Sequence, residues 1–360
     1  MRSRRPPDAD VVTLLLTTLR LGGEPGDTSG LRQAWAGVAR PGFDELIDFE
    51  GCALWLARRL RQIHADAGVT VPRLARDMAA RNLLVDAETE AMLGHVAARG
   101  IPCILLKGAA RRALAQELPF ADARATFDLD ILVPAHAATA LWNDLRRQGY
   151  TLAHPGRKPR PTHHHLPGLL GPSSVAVEIH TSVAPGIPAD VTWQRLRATA
   201  RTIQRFGVET LVPSTRELLW DGMMHAVRGG ARGLRLHQLL AASCIVAAGA
   251  EAEVQEIRDR LAATPPPTAL LANAWFAAAT WLGGAGEGEP PAVLRRALRW
   301  RLALVRHLPS GPRVLGAWAD EASRLEFDLP PSRGATLGLR PLGAALARHA
   351  YRAWRLARAS

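Results

Sequence analysis

Two aspartates separated by a single residue are the strongest chemical signal in this chain. Asp128 and Asp130 lie in the run 127–133, where apolar and acidic residues alternate. The alternation predicts a β-strand with both carboxylates on one face and the aliphatic side chains on the other. Two like charges on one half-buried face repel each other unless a cation lies between them. Because Mg²⁺ prefers oxygen ligands, we interpret the strand as a metal-binding platform.

A turn with the features of a phosphate site precedes this strand. The apolar run 101–106 predicts a short strand that leads into the sequence Lys-Gly-Ala at 107–109, and residues 111–118 favour a helix. A strand, a turn of small residues and a helix start can together present backbone N–H groups to a phosphate. Lys107 is also one of two lysines among 45 basic residues, the other being Lys158. A lysine ammonium is a compact charge that reaches a single phosphate, which favours the same role.

A third alternating run supplies another carboxylate. Residues 175–180 predict a strand with aliphatic side chains on one face and Glu178 and His180 on the other. A third carboxylate on a strand beside the first pair would complete the ligand set of a two-metal phosphoryl-transfer site. His180 either orients Glu178 or contacts a substrate, or it is a half-buried histidine with satisfied hydrogen bonds.

Taken together, these motifs resemble the uncharacterised bacterial nucleotidyltransferase-like family of the DNA polymerase β superfamily. The segments that carry the resemblance are Lys107-Gly108, residues 124–133, Gly149-Tyr150 and residues 177–180. A weaker likeness extends over roughly residues 30 to 245 and includes Arg81-Asn82. The resemblance implies transfer of a nucleoside monophosphate (NMP) from a nucleoside triphosphate (NTP) to a hydroxyl or phosphate acceptor.

The same resemblance implies a role for each predicted site residue. The expected metal ligands and catalytic residues are Asp128, Asp130 and Glu178. The expected nucleotide-binding residues are Lys107, Gly108, Ala109 and Arg124. The expected cofactor is Mg²⁺ or Mn²⁺, with the NTP as co-substrate. Glu178 would act on the metal that activates the acceptor hydroxyl, and His180 would contact the substrate.

Three positions depart from the family pattern. The turn is Gly108-Ala109, where the superfamily has Gly-Ser or Gly-Gly closer to the acidic pair. Phe127 occupies a position where a small polar residue is usual, and Gln238 one where an acidic residue is expected. The alternative interpretation is therefore a catalytically inactive module of the same fold. Its acids would be solvated or paired with Arg124, and its basic surface would bind RNA or a protein partner.

Composition is that of a globular protein and leaves the acceptor open among small molecule, protein and RNA. The hydrophobic content of 48% is ordinary, and no run approaches the ~20 uncharged apolar residues that a bilayer span needs. Three scattered cysteines favour reduced thiols and a cytoplasmic location. The net charge of +12 would attract polyanions such as nucleic acid, although a bias toward arginine gives the same charge.

The expected fold class is α+β, with a small mixed β-sheet flanked by N- and C-terminal helical regions. The expected divisions are a disordered tail at 1–10, a helical region at 11–100, a nucleotidyltransferase core at 101–183 and a second helical region at 184–360.

Two basic segments are interpreted separately. Three histidines at 163–165 favour a mobile, partly cationic loop near the site over a zinc cluster, because adjacent side chains rarely converge on one ion. The basic segment 342–358 predicts a helix that packs on the body, or one that lies on an anionic membrane or on RNA.

Overall fold

The computed structural model describes residues 8–21, 29–36, 38, 42–66, 68, 70–154, 164–228, 235–249 and 251–307. The predicted helix at 342–358 and His163 lie outside these ranges. The predicted tail at 1–10 is described only from Asp8, where the first helix begins.

A mixed β-sheet of seven strands forms the centre of the described chain. The strands are β1 (Ile104–Leu105), β2 (Asp128–Leu132), β3 (Thr151–Leu152), β4 (Leu169–Leu170), β5 (Ala176–His180), β6 (Arg201–Arg205) and β7 (Val208–Val212). Their order across the sheet is β3-β4-β5-β2-β1-β7-β6. Only the β2–β5 and β1–β7 neighbours are parallel among these strands. The predicted α+β fold class is confirmed.

Helices flank the sheet, and they come both before and after its first strand in the sequence. Before β1 they are α1 (Asp8–Leu19), α2 (Ser29–Ala36), α3 (Phe43–Glu50), α4 (Ala53–Gln62) and α5 (Thr70–Ala97). Within and after the sheet they are α6 (Lys107–Ala113), α7 (Ala135–Arg147), α8 (Ala189–Thr199), α9 (Thr215–Arg228), α10 (Leu236–Ala248), α11 (Glu251–Ala262), α12 (Pro266–Leu282) and α13 (Ala292–His307). One buried apolar cluster joins residues of α1, the sheet, α10 and α13. The flanking helices therefore share a core with the sheet.

Two local expectations differ from the structure. The helix predicted at 111–118 begins earlier, at Lys107, so the Lys-Gly-Ala turn is the first turn of α6. The region after residue 183 also contributes β6 and β7, which add a hairpin to the sheet edge. Phe206 and Gly207 form its turn with φ of 52° and 71°, the left-handed values of a two-residue hairpin turn.

No helix in the described ranges is both long and apolar enough to cross a membrane.

Candidate metal and nucleotide site

The parallel pairing of β2 and β5 brings two of the predicted carboxylates together. Asp130 is the register partner of Glu178, and Leu132 is the partner of His180. Register partners on parallel strands project to the same face, so Asp130 and Glu178 are neighbours. Asp130 is fully buried, whereas Glu178 is half-buried.

The ammonium of Lys107 lies against both of these carboxylates. Its Nζ is 2.6 Å from Asp130 Oδ1 and 3.8 Å from Glu178 Oε2. The backbone of Lys107 is left-handed, with φ of 45°. A non-glycine residue in this region costs on the order of 1–3 kcal/mol, and such strain is concentrated at functional sites. The fold thus holds this lysine beside the acidic face at a conformational cost.

His180 forms the other cationic contact of the same carboxylate. Its Nε2 is 2.7 Å from Asp130 Oδ1 and 3.4 Å from Glu178 Oε2, and its Nδ1 is 3.3 Å from the carbonyl oxygen of Ser182. Both ring nitrogens face oxygen acceptors, which favours the protonated ring in the metal-free site, and binding of a metal ion through Nε2 would require loss of that proton. Burial and Lys107 oppose this charge, but the bonds to Asp130 and Glu178 prevail and raise the pKa of His180.

The three predicted acids have different electrostatic environments. Burial opposes ionisation of Asp130, but Lys107 and His180 hold the pKa of that carboxyl well below its usual range. Burial likewise opposes ionisation of Glu178, and the bond from His180 lowers its pKa. Burial and the negative charge of Asp130 raise the pKa of Asp128 to about 7. Asp128 is therefore the acid whose charge is least compensated.

The site has a donor set that fits a metal ion. Among the described residues, Asp130, Glu178 and His180 offer ligand atoms that all lie within 4.8 Å of one another. Asp130 Oδ2 is buried and has no hydrogen-bond partner, so this oxygen is available for coordination. Carboxylate oxygens suit Mg²⁺ or Mn²⁺, whereas an imidazole nitrogen is a more usual ligand of Zn²⁺ and other transition metals. Asp128 is outside this group of three, and its predicted role as a metal ligand stays a prediction.

Asp128 instead faces a pocket of about 190 Å³ beside the carboxylates. This is far more room than one water molecule requires. The walls come from α6 and the residue before it, from the start of β2 and the segment before it, from the end of β5, and from α9, α10 and α12. The lining includes Lys107, Gly108, Arg111, Arg124, Phe127, Asp128, His180, Gly222, His225, His237, Gln238 and Trp275.

Phe127 forms part of the pocket rim. Its side chain is 49% exposed although it directly precedes the acidic strand. The guanidinium of Arg81 lies 5.3 Å from the ring centroid, and the ring of His237 meets it edge-on at 6.4 Å. An exposed aromatic ring at this position offers a surface on which a planar group can stack.

Gly108 allows the first turn of α6 to pack closely against the segment before β2. A Cβ at this position would lie 2.6 Å from Thr126 Cγ2 and 2.7 Å from Arg124 Nη1. Ala109, the last residue of the predicted turn, is buried in the core and does not line the pocket. Of the predicted nucleotide-binding residues, Lys107, Gly108 and Arg124 are therefore brought together.

Asn82 of α5 anchors this same segment, a role that sequence interpretation did not identify. Its Nδ2 donates to the carbonyl oxygens of Asp122 and Arg124, at 3.1 and 2.9 Å. Its Oδ1 accepts from the backbone N–H of Thr126 at 3.0 Å. The only sequence signal was its place in the weaker part of the resemblance.

The histidine segment differs from the expected cationic loop in its described part. The rings of His164 and His165 lie 5.3 and 5.2 Å from that of His180. Burial, together with His180, lowers the pKa of His164 to about 2, and burial also lowers the pKa of His165. Both rings are therefore neutral, and they cover one side of the carboxylate site.

Comparison with known proteins agrees with this geometry. A family model described as "Uncharacterised nucleotidyltransferase" matches residues 52–282, which is more than half of the chain. The chain belongs to this nucleotidyltransferase family, and at this level it is a transferase.

Comparisons with solved structures and with curated proteins add no information about activity. Among solved structures, an antigenic nucleotidyltransferase-like protein from Paracoccidioides brasiliensis is similar over 52% of this chain and 92% of its own, with 13% identity and a TM-score of 0.34. A likeness this distant has no bearing on activity. No curated protein matches the chain.

Proposed function

We propose that this protein is a Mg²⁺- or Mn²⁺-dependent nucleotidyltransferase that moves an NMP from an NTP to a hydroxyl or phosphate acceptor. One observation carries the proposal: in a chain of this family, parallel register sets Asp130 beside Glu178, next to a pocket that Lys107, Asp128 and His180 line. We also propose that the site follows the plan of the DNA polymerase β superfamily.

The residues that would hold the ion are Asp130, Glu178 and His180, with Asp128 on the pocket side. A bound divalent ion would neutralise phosphate charge and lower the pKa of the acceptor hydroxyl. Asp130 Oδ2 supports this role because it is buried without a partner.

Lys107 and Arg124 would bind the nucleotide phosphates. Both line the pocket, and Gly108, which follows Lys107 in the chain, leaves room for the guanidinium of Arg124. The ammonium of Lys107 now compensates Asp130 and Glu178, and it would turn to the phosphates when another cation takes over that compensation. The four-carbon stem of lysine allows this movement without displacement of the backbone.

Label transfer from α-labelled NTPs tests the proposal directly. The protein is incubated with each NTP, Mg²⁺ and fractions containing small molecules, protein or RNA. We expect Asp128→Asn and Asp130→Asn to lower transfer at least about 100-fold, as loss of electrostatic stabilisation of a transition state does.

Asp77→Asn is the matched control, since Asp77 is an exposed residue of α5 that pairs only at the surface with Arg73. It should transfer label at the wild-type rate. Equal transfer by wild type and Asp130→Asn, or no transfer from any NTP, would exclude this activity.

A non-catalytic module is the second candidate, and one contact favours it. Lys107 and His180 already compensate the carboxylates, so the charge balance of the centre is met without a metal. This candidate predicts salt-sensitive RNA or protein binding through the basic surface that Asp128→Asn leaves unchanged. Calorimetry with MgATP separates the two, because only the enzyme requires Mg²⁺-dependent nucleotide affinity.

A further inference from the structure

Two arginines that line the pocket, one buried and one half-buried, have no ion-pair partner among the described residues. Arg111 of α6 is 6% exposed, and Arg124 is half-buried. The Nε atom of each is buried without a hydrogen-bond partner. Within the described ranges, neither guanidinium forms an ion pair with a carboxylate, although both line the pocket. A buried charge without a partner is costly, so such residues persist where a ligand supplies the missing charge.

The charge of Arg124 also acts on Arg111 within the pocket that both residues line. Burial, and then the charge of Arg124, lower the pKa of Arg111 to about 9. Their acidic neighbours are the carboxylates of the metal site, Asp130 for both and Asp128 for Arg124. Asp130 is engaged by Lys107 and His180, and Asp128 forms no ion pair with either arginine, so the arginine side of the pocket keeps excess positive charge.

Neutral polar groups elsewhere in the pocket lining add to this demand. His237 of α10 and Trp275 of α12 line the pocket and are 9% and 2% exposed. His237 Nδ1 and Trp275 Nε1 are buried without hydrogen-bond partners. An apolar ligand would leave these groups unsatisfied, whereas a ligand with several oxygen atoms would satisfy them.

We infer that Arg111 and Arg124 form an anion subsite that binds a phosphate group on the helical side of the pocket, with Trp275 and His237 as neutral partners. Arginine suits this ligand because its planar fork binds two phosphate oxygens at once. The subsite deepens the proposed function, and the phosphate would belong either to the polyphosphate tail of the NTP or to a phosphorylated acceptor.

Pyrophosphate is the probe, titrated by calorimetry into the full chain in phosphate-free buffer with EDTA. Wild type should bind it, and Arg111→Met should bind it about 10- to 100-fold more weakly, as expected for loss of charged hydrogen bonds. Arg111→Lys keeps the positive charge but lacks the planar guanidinium, so its affinity for pyrophosphate should lie between those of wild type and Arg111→Met. Arg76→Met is the control, because Arg76 is an exposed residue of α5 that does not line the pocket.

A thermal unfolding series distinguishes a ligand-binding residue from a structural one. In phosphate-free buffer, Arg111→Met should have a midpoint equal to or above that of wild type, because it removes a buried unpaired charge. Pyrophosphate should raise the midpoint of wild type and of Arg76→Met, but not that of Arg111→Met. Absence of pyrophosphate binding in wild type, or equal affinity in Arg111→Met, would overturn the inference.

Two further measurements identify the source of the phosphate and test the proposed function independently of the subsite. Competition between pyrophosphate and a non-hydrolysable NTP assigns the subsite to the nucleotide tail, and simultaneous binding assigns it to the acceptor. Asp128→Asn should lose label transfer yet keep metal-free pyrophosphate binding. If wild type transfers no label but binds pyrophosphate through Arg111, the proposed function fails while the anion subsite stands.

Discussion

At the scale of single residues, the acidic site is a problem of charge balance. Two carboxylates, Asp130 and Glu178, meet two cations, Lys107 and His180, within hydrogen-bond or ion-pair distance. Asp128 is a third acid that forms no ion pair among the described residues, and burial and the charge of Asp130 raise its pKa to about 7. The folded protein therefore holds Asp128 in its protonated form up to neutral pH.

This raised pKa predicts a measurable effect on stability in EDTA. A carboxyl with a folded pKa above its unfolded value binds more protons when folded, so stability falls as pH rises from about 4 to about 7. Asp128→Asn removes this loss and should stabilise the protein at pH 8 by on the order of 1–3 kcal/mol, with little difference at pH 4. Denaturant unfolding at both pH values measures it.

Addition of Mg²⁺ at pH 8 should make wild type more stable than Asp128→Asn. If Asp128 faces a bound ion, Mg²⁺ stabilises wild type more than Asp128→Asn, because a ligand that binds the native state stabilises it by mass action. A variant that is less stable than wild type at pH 8 in EDTA would contradict the uncompensated charge.

Residue patterns predicted the acids together with Lys107, Arg124 and His180, but not Arg111. Asp130 and Glu178 could be identified from the sequence because the alternation puts each carboxylate on the polar face of a strand. Parallel pairing of the two strands then makes them neighbours. Arg111 gave no signal, since arginine is the usual basic residue throughout this chain. Its significance comes from burial without a partner, which depends on packing between α6, α9 and α12 and not on local sequence.

At the scale of elements, the site depends on the close approach of α6 to the segment that precedes β2. Gly108 permits this approach, and Asn82 holds the segment from the other side through three hydrogen bonds. Arg124 is carried by this segment, so its position in the pocket follows from both contacts.

Substitution of Gly108 by alanine tests the close approach. Alanine is the better helix former, yet its Cβ would overlap Thr126 Cγ2 and Arg124 Nη1. We expect Gly108→Ala to destabilise the protein by about 1–3 kcal/mol, the usual cost of overpacking, and to weaken pyrophosphate binding by moving Arg124. Chemical denaturation and calorimetry measure the two effects.

Gly94→Ala is the matched control for this substitution. Gly94 lies in α5, is exposed, and has no atom within 4 Å of an added Cβ. The same change should therefore stabilise by about 0.5–1 kcal/mol through helix propensity. If Gly108→Ala destabilises the protein and Gly94→Ala stabilises it, the cost comes from the close contact at Gly108. If both variants change stability in the same direction, the close contact is not the cause.

The strands that could be predicted are those in which apolar and polar residues alternate clearly. Strands β2 and β5 were predicted because aliphatic and polar residues alternate along their sequences. The hairpin of β6 and β7 was missed, since most residues of β6 are exposed and its sequence is mainly polar. Its turn is Phe-Gly, which lacks the Asn-Gly signature of such hairpins.

At the scale of the whole molecule, helices outside the matched family region position the pocket. Glu50, at the end of α3, is fully buried. Its Oε1 accepts from Arg301 Nη1 of α13 at 2.8 Å, and its Oε2 accepts from the backbone N–H of Leu236 at 2.7 Å. Leu236 begins α10, and the next two residues, His237 and Gln238, line the pocket.

This connection predicts that a distant ion pair controls both stability and ligand affinity. Arg301→Met leaves the Glu50 carboxylate buried without its cation, a change that costs about 3–5 kcal/mol in comparable pairs. Because Glu50 also holds the first N–H of α10, pyrophosphate binding should weaken as well, although Arg301 does not line the pocket. Denaturant unfolding and calorimetry measure both effects in the same variant.

The double variant Glu50→Gln with Arg301→Met separates lost charge balance from lost packing. It removes both charges but keeps an amide oxygen that can accept from Leu236, so it should recover most of the stability and of the affinity. Arg296→Met, an exposed change in the same helix, should stay within about 0.5 kcal/mol of wild type. If the double variant is as unstable as Arg301→Met alone, the arginine acts through packing of α13 and not through Glu50, and the proposed link from α13 to the start of α10 is wrong.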